Sequence, residues 1–522
     1  MGTSDVPTGF LDARTVEDGS EIPCDVCVVG SGAAGTTLAL RLVERGRSVL
    51  MLEAGGADPD PDSSSFNDLE TTGLPVGPDT RQRFLGGTTN SWGGRCAMLE
   101  ESDFGERPWL GASAWPIQRE ALLPYYGQGC RLLGVPDLTA VAVGGLHGDR
   151  GFLVQTPDLD TVRLYQPKRP RRFGDVLRPL VRSSRALEAY LYGNVTRLVS
   201  DAGGARIEHL EVRTMTGRTF RVRPTTVVLA CGGIENARLM LVSGGERRSG
   251  IGEGGAVGRY YMDHPTGTSG MVHVDPDATR LPHPAYWDFR LERFHLGIRL
   301  SPERQARDGV LGGYVRFHAI RASEGRGTAA VRKVYWDRAA LRDRQVLADL
   351  ALGVPDLVAF ARFKTFNRGR IRAAAILSVT EQAPRAENRV RLSSRLDMFG
   401  NPLARLDWSI GELDRRSIRI LHGTLDEEFR RRGFGRVDSP SISDDDGPWP
   451  ISTDANHHLG TTRMGDDPST SVVDRNCRVH GIDNLYVAGS SVFPTSGYAN
   501  PTLTIVALAL RLADHLGARV AG

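Results

Sequence analysis

Cys24-Asp25-Val26-Cys27-Val28-Val29 runs directly into Gly30-Ser31-Gly32-Ala33-Ala34-Gly35, and the next apolar run, Ser48-Val49-Leu50-Met51-Leu52, ends on Glu53. The first six residues read as a buried β-strand, and the second run as another. Between them Leu38, Leu42 and Val43 recur at helical spacing beside polar Glu44 and Arg45, and Gly46 ends the helix. Strand, G-x-G-x-x-G, helix, strand and acid within about 30 residues is the context that makes a glycine pattern a dinucleotide site. Gly30 permits the tight turn, Gly32 admits a pyrophosphate to backbone N–H groups, and Gly35 lets the helix lie close on the strand. The helix N-terminus then presents its positive dipole end to the phosphates. Glu53 stands where a carboxylate accepts from ribose hydroxyls. The motif alone leaves NAD and FAD both open.

The rest of the composition narrows the class. With 522 residues, 40% hydrophobic and 24% charged, the chain has a globular protein's core and length for two or more domains. Its 65 Lys+Arg against 62 Asp+Glu leave a formal charge of +3, which gives no support to nucleic acid as a partner. Only Lys168, Lys333 and Lys364 are lysines. The arginine excess is spread along the chain and reflects a GC-rich coding genome rather than a site. Six cysteines without clustering make neither a disulfide framework nor a metal site. Cys24 and Cys27, three apart on a strand, are expected to point to opposite faces as buried core residues. Met1–Glu21 lacks an apolar leader and no stretch reaches 18 apolar residues, so the expected location is cytoplasmic, with membrane attachment not expected.

Further motifs identify the cofactor class. Arg83-Phe84-Leu85-Gly86-Gly87-Thr88-Thr89-Asn90-Ser91-Trp92-Gly93-Gly94 is a glycine-rich loop around a tryptophan. Val227–Ala230 leads into Gly232-Gly233-Ile234-Glu235-Asn236, and Val257-Gly258-Arg259 leads to His264-Pro265. Glu381-Gln382 and Asn388-Arg389-Val390 follow. Near the end stand Ala455-Asn456-His457-His458-Leu459-Gly460-Thr461-Thr462-Arg463-Met464-Gly465, then Asn484-Leu485-Tyr486-Val487-Ala488-Gly489, and Ser496-Gly497-Tyr498-Ala499-Asn500-Pro501-Thr502. Over nearly its whole length the sequence resembles the glucose–methanol–choline (GMC) oxidoreductase family, and in detail its sugar-oxidising branch of pyranose oxidases, fructose and gluconate dehydrogenase flavin subunits, and glycoside and aminoglycoside oxidoreductases.

The resemblance implies FAD and oxidation of an alcohol to a carbonyl. His457 matches the family's catalytic base and Asn500 its second active-site residue. A neutral imidazole suits removal of a hydroxyl proton, and an amide suits holding that hydroxyl while its carbon gives a hydride to flavin N5. Asn500 before Pro501 is also a candidate helix N-cap. His264 is read as structural. The resemblance assigns Gly30, Gly32, Gly35 and Glu53 to the ADP half of FAD, and Gly87, Thr88 and Asn90 to the isoalloxazine. It assigns Val195 to adenine, and Gly489 and Ser490 to the ribityl chain. Pyranose oxidases carry a histidine before the loop tryptophan that bonds the flavin covalently. Ser91 stands there, so FAD is expected to be non-covalent. No metal is expected.

The expected fold is an α/β Rossmann-like flavin domain interleaved with an α+β substrate domain on a mostly antiparallel sheet. The resemblance gives the flavin domain residues 20–100, 190–265 and 450–520, the substrate domain 266–449, and a connecting cover segment 101–189. Expected partners are a sugar-like polyol, glycoside or aminoglycoside and oxygen or another electron acceptor. The basic run Lys168-Arg169-Pro170-Arg171-Arg172 reads as a solvated loop or an anion contact. Leu347, Leu350, Leu352, Leu357, Phe360, Phe363 and Phe366 among arginines read as a helical cover or oligomer contact rather than a membrane surface. Two other readings stay open: the flavin subunit of a membrane-associated dehydrogenase complex, and a non-redox lyase on the same scaffold.

Overall fold

The structure, a computed structural model of the chain, describes residues 6–77, 80–111, 114–140, 152–244, 255–278, 282–286, 294–320, 326–336, 340–341, 343–358, 373–443, 449–451 and 455–518. Its organising element is the strand Glu21–Val29, whose last residues Val26–Val29 are buried. Such an apolar run, buried on both faces, is the signature of a parallel strand inside an α/β sheet. It pairs in parallel with Val49–Leu52 on one side and Thr219–Leu229 on the other.

The full order of this eight-stranded sheet begins Leu11–Asp12, Leu187–Leu191, Val49–Leu52, Glu21–Val29, Thr219–Leu229, Ile207–Arg213 and Asn194–Ser200. The eighth strand, Leu485–Val487, pairs in parallel with Val227–Leu229 at the end of the long strand. Residues 194–229 form an antiparallel meander that leaves the parallel core. The helix Ala33–Glu44 follows the glycine turn and packs on the C-terminal helix Thr502–Ala518, with Arg41 Nε 2.8 Å from Asp514 Oδ1. Gly35 lets the helix Ala33–Glu44 lie close on the glycine turn and strand: a Cβ there would stand 1.9 Å from the Gly30 carbonyl oxygen.

A second sheet, wholly antiparallel, has the order Gly435–Asp438, Thr266–Val274, Ala373–Thr380, Gly313–Ile320, Phe294–Leu300 and Leu159–Tyr165. The helix Glu412–Arg431 covers one face, where Ile418, Leu421, Leu425 and Phe429 join Val272, Ile298, Phe317 and Ile376 in one buried cluster. A three-stranded sheet of Arg389–Leu396, Pro402–Trp408 and Leu69–Gly73 ties the N-terminal third to the middle of the chain.

The segment expected to be a cover, 101–189, contributes more than a connection. Leu159–Tyr165 is an edge strand of the antiparallel sheet, and Leu187–Leu191 lies inside the parallel one. Leu159, Thr161, Val162, Leu164 and Tyr165 are buried along the edge strand, a pattern without the strict alternation that would make it stand out in the sequence. Of the two cysteines on the strand Glu21–Val29, Cys27 is buried and Cys24 half-buried, and burial pushes the Cys27 thiol well above the ordinary thiol range. All six cysteines are free.

The arginine-rich apolar segment forms the helices Arg326–Trp336 and Arg344–Leu352, which enclose a small core of Ala330, Ala340 and Val346. Leu347 and Leu352 are exposed, while Phe360, Phe363 and Phe366 lie outside the described residues. Among the described residues no helix is long and apolar enough to cross a membrane, and no group of three or more His, Cys, Asp or Glu could hold a metal.

Candidate active site

The ends of both sheets and the C-terminal helix meet around one cavity of about 1090 Å³. Gly30, Gly32 and Glu53 line it from the parallel strands, and Thr266, Tyr314 and Val379 from the antiparallel sheet. His457, His458, Gly489, Ser490 and Asn500 line it from the C-terminal block. Ordinary small-molecule sites run to roughly 300–1,000 Å³, so this volume suits a dinucleotide together with a small second molecule.

His457 and Asn500 stand together. Asn500 Nδ2 lies 3.1 Å from His457 Nε2 and donates to it. The opposite ring nitrogen, His457 Nδ1, lies 2.8 Å from His264 Nδ1. His264 Nε2 donates to the Gly497 carbonyl at 2.9 Å. Asp263 holds the segment in place: its Oδ1 accepts from the backbone N–H groups of His264 at 2.6 Å, Ala455 at 3.0 Å and His457 at 3.2 Å. Burial, with help from neighbouring His264, His458 and Arg95, keeps the His457 pKa well below the usual histidine value, so this imidazole is neutral at pH 7. Burial lowers His264 in the same direction.

His458 is placed differently. Its Nε2 is buried without a hydrogen-bond partner, its ring lies 6.0 Å from that of Tyr261, and burial pushes its pKa down to about 3. Its carbonyl accepts from Ser490 Oγ at 2.6 Å. Gly233 explains part of the Gly232–Asn236 motif: a Cβ there would lie 2.2 Å from that same carbonyl oxygen. Asn236 then stitches two loops together, accepting from Cys231 N–H at 2.8 Å and donating to Ser491 Oγ at 3.0 Å.

The cofactor-site residues fall into two groups. Gly30, Gly32, Glu53, Gly87, Thr88, Val195, Gly489 and Ser490 line the cavity; Gly35 and Asn90 are not among the lining residues. Asn90 works inside its own loop, where Nδ2 donates to the carbonyls of Leu85 and Gly87 at 2.9 Å each. Glu53 has a second task besides its expected one. Its Oε2 accepts from Ser31 N–H at 3.1 Å and Ser31 Oγ at 2.6 Å, and its Oε1 from Gly55 N–H at 3.0 Å. The carboxylate thus pins the glycine turn to the strand end. Arg172, from the basic run read as a solvated loop or an anion contact, clamps the tryptophan loop through the carbonyls of Thr89 and Trp92 and also lines the cavity. Asn500 does not cap the last helix. That helix spans Thr502–Ala518, Pro501 O accepts from Ile505 N–H at 2.8 Å, and the Asn500 amide is turned onto His457.

Asp263 carries no signal of its anchoring role in the sequence: the Met262-Asp263-His264-Pro265 run is plain there, but nothing local shows that it meets residues 455–457. The site also fits the group the sequence implies. Around Gly32 and Gly489 nothing lies within 4 Å of where a Cβ would stand, and the orphaned His458 Nε2 borders the same space. This is a pocket in which backbone can approach a phosphate-bearing ligand closely.

A Rossmann-type sheet carrying a glycine turn, joined through one cavity to a His–Asn pair at the foot of an antiparallel sheet, defines a dinucleotide-dependent oxidoreductase. The C-terminal GMC oxidoreductase family model matches residues 384–509. The chain is 28% identical to 6'''-hydroxyparomomycin C oxidase of Streptomyces lividus over 95% of this chain and 92% of that protein. It is 28% identical to paromamine 6'-oxidase of Streptomyces fradiae over 94% and 90%. Pyridoxine 4-oxidase from Mesorbium loti shares the fold with a TM-score of 0.57 at 20% identity, over 94% of this chain and 99% of that one. Residues 384–509 thus form a GMC oxidoreductase C-terminal domain, and the chain is an oxidoreductase acting on an alcohol CH–OH.

Proposed function

We propose that the protein oxidises one hydroxyl of a sugar-like substrate, a sugar, glycoside or aminoglycoside, to a carbonyl, with His457 as general base and Asn500 as the group that holds the hydroxyl. The observation that carries this reading is the 3.1 Å contact between Asn500 Nδ2 and His457 Nε2 on the wall of the cavity that also takes in the glycine turn. A neutral, buried imidazole has a lone pair to receive a hydroxyl proton and pays little solvent reorganisation in doing so. The Asn500 amide, fixed by its neighbour, orients the same oxygen. Bound FAD supplies the acceptor for the hydride that leaves the carbon.

Gly30, Gly32 and Glu53 would hold the ADP half, Val195 the adenine, and Gly87, Thr88, Gly489 and Ser490 the flavin half. FAD is bound without a covalent link, because Ser91 takes the place of the linking histidine. The Ser91 hydroxyl donates to Thr88 O at 3.2 Å. The two relatives named for paromamine and hydroxyparomomycin support an aminoglycoside or glycoside as substrate.

Anaerobic titration of the purified flavoprotein with a panel of sugars, glycosides and aminoglycosides tests the activity. Bleaching of the flavin by one class is expected, and a flavin left oxidised by all of them would overturn the reading in favour of the lyase. His457→Ala is expected to keep FAD and slow flavin reduction by at least ~10²-fold, the lower end for general-base catalysis. If His458→Ala does so instead, the base is its neighbour. Acid denaturation should release free FAD; flavin left on the chain would refute the non-covalent reading.

A further inference from the structure

The His264–His457 contact determines which nitrogen of His457 is the base. His264 is wholly buried, and its Nε2 faces two carbonyl oxygens, Gly497 O at 2.9 Å and Ser496 O at 3.4 Å. A carbonyl oxygen only accepts, so His264 Nε2 carries the hydrogen. A neutral imidazole has one N–H, which leaves His264 Nδ1 as a bare lone pair. That lone pair lies 2.8 Å from His457 Nδ1, so His457 Nδ1 must donate. In a neutral His457 the other nitrogen, Nε2, is then unprotonated, and Asn500 Nδ2, a donor, sits 3.1 Å from it. The chain Gly497 O, His264, His457, Asn500 has one consistent assignment of hydrogens. The two lowered histidine pKa values agree with both rings being neutral.

From this geometry we infer that His264 is a positioning residue for the reaction: it locks His457 in the Nδ1–H tautomer and so keeps the lone pair on Nε2, toward Asn500 and the cavity. The inference rests on the proposed role of His457 as base. Without an acceptor at the His264 Nδ1 position, His457 is free to carry its hydrogen on Nε2, where a rotated Asn500 amide would accept it, and that form cannot receive a substrate proton. The ring is also held in orientation by this bond, in the way a third group orients the base of a catalytic triad. When His457 takes the substrate proton, both its nitrogens carry hydrogen, and the Nδ1–H remains bonded to the His264 lone pair. The new positive charge is therefore not left unpartnered in a buried site.

Two variants and one spectrum test this. His264→Asn keeps an acceptor oxygen near the place of Nδ1, and His264→Leu removes it. His264→Leu is expected to slow anaerobic flavin reduction about tenfold or more at saturating substrate, with FAD content and substrate affinity within about twofold of the parent, and His264→Asn to recover most of that rate. Independently, ¹⁵N spectra of histidine-labelled holoenzyme, with His457 assigned by its loss in His457→Ala, should show Nδ1 as the protonated nitrogen and Nε2 as the bare one. A spectrum with Nε2 protonated overturns the inference, whether or not the His264 variants fold. Equal slowing by Asn and Leu also overturns it, since that would mark His264 as packing alone. If His457→Ala leaves flavin reduction intact, the base assignment itself has failed. If it abolishes reduction while the spectrum shows the other tautomer, only the role of His264 falls.

Discussion

Asn500→Asp changes one atom beside the proposed base and converts its partner from a donor to an acceptor. The contact to His457 Nε2 is 3.1 Å. At an effective dielectric constant of ~20, a carboxylate charge at that distance stabilises an imidazolium by about 5 kcal/mol, and measured neighbour effects run to ~1–3 pKa units, or about 1.4–4 kcal/mol. The sign follows from the charges: an opposite charge favours the protonated form, so the His457 pKa rises from its depressed value. His264 already fixes a hydrogen on Nδ1, so the new proton goes on Nε2 and removes the lone pair. Asp is isosteric with Asn, so FAD content should not change. Stopped-flow flavin reduction between pH 6 and 9 is expected to lose rate toward the acid end, with the loss setting in ~1–3 pH units above the parent's and recovering as pH rises. The parent, whose base is already neutral, should be flat over that range. A variant whose pH profile runs parallel to the parent's would refute the electrostatic reasoning, whatever its absolute rate.

Three further outcomes can be measured. Arg107 and Glu381 form a buried bidentate pair at 2.8 and 2.7 Å, and Glu381 also accepts from Gly312 N–H at 2.8 Å. Arg107→Met strands that carboxylate and should cost ~3–5 kcal/mol in denaturant unfolding. Adding Glu381→Leu should restore part of the loss, and an additive or greater loss would count against the pair. Gly233→Ala drives a Cβ to 2.2 Å from the His458 carbonyl, so activity and FAD retention should both drop, with unchanged activity excluding the close approach. Burial pushes His422, bonded to Ser269 and Ser439, down to about 4. The unfolded chain binds that proton near pH 6.5 and the folded one does not, so stability present above pH 6.5 is lost as pH falls toward 4, on the order of 3 kcal/mol from this group. His422→Gln should flatten the slope of stability against pH in that window by about one proton, and an unchanged slope would rule the group out.

The unit from Glu21 to Glu53 was legible in the sequence because everything that makes it is local. A buried strand, a glycine turn, one helix and a second strand lie within consecutive residues, and Gly35 is required by a carbonyl only five residues away. The His457 and Asn500 motifs could be named from resemblance, but no periodicity says that they touch.

Tertiary structure alone decided the rest. It brought His264 and Asn500, 193 and 43 residues from His457, to either side of one imidazole ring. It turned Asn90 inward on its own loop, made Arg172 a clamp, and recruited Leu159–Tyr165 to the second sheet. The sequence thus determined which residues can do dinucleotide and proton chemistry, since residue type and short-range spacing set turns, strands and hydrogen-bonding capacity. Which nitrogen holds the lone pair was decided only by the fold, because a tautomer depends on the partner at the far side of the ring, and that partner arrives by long-range packing.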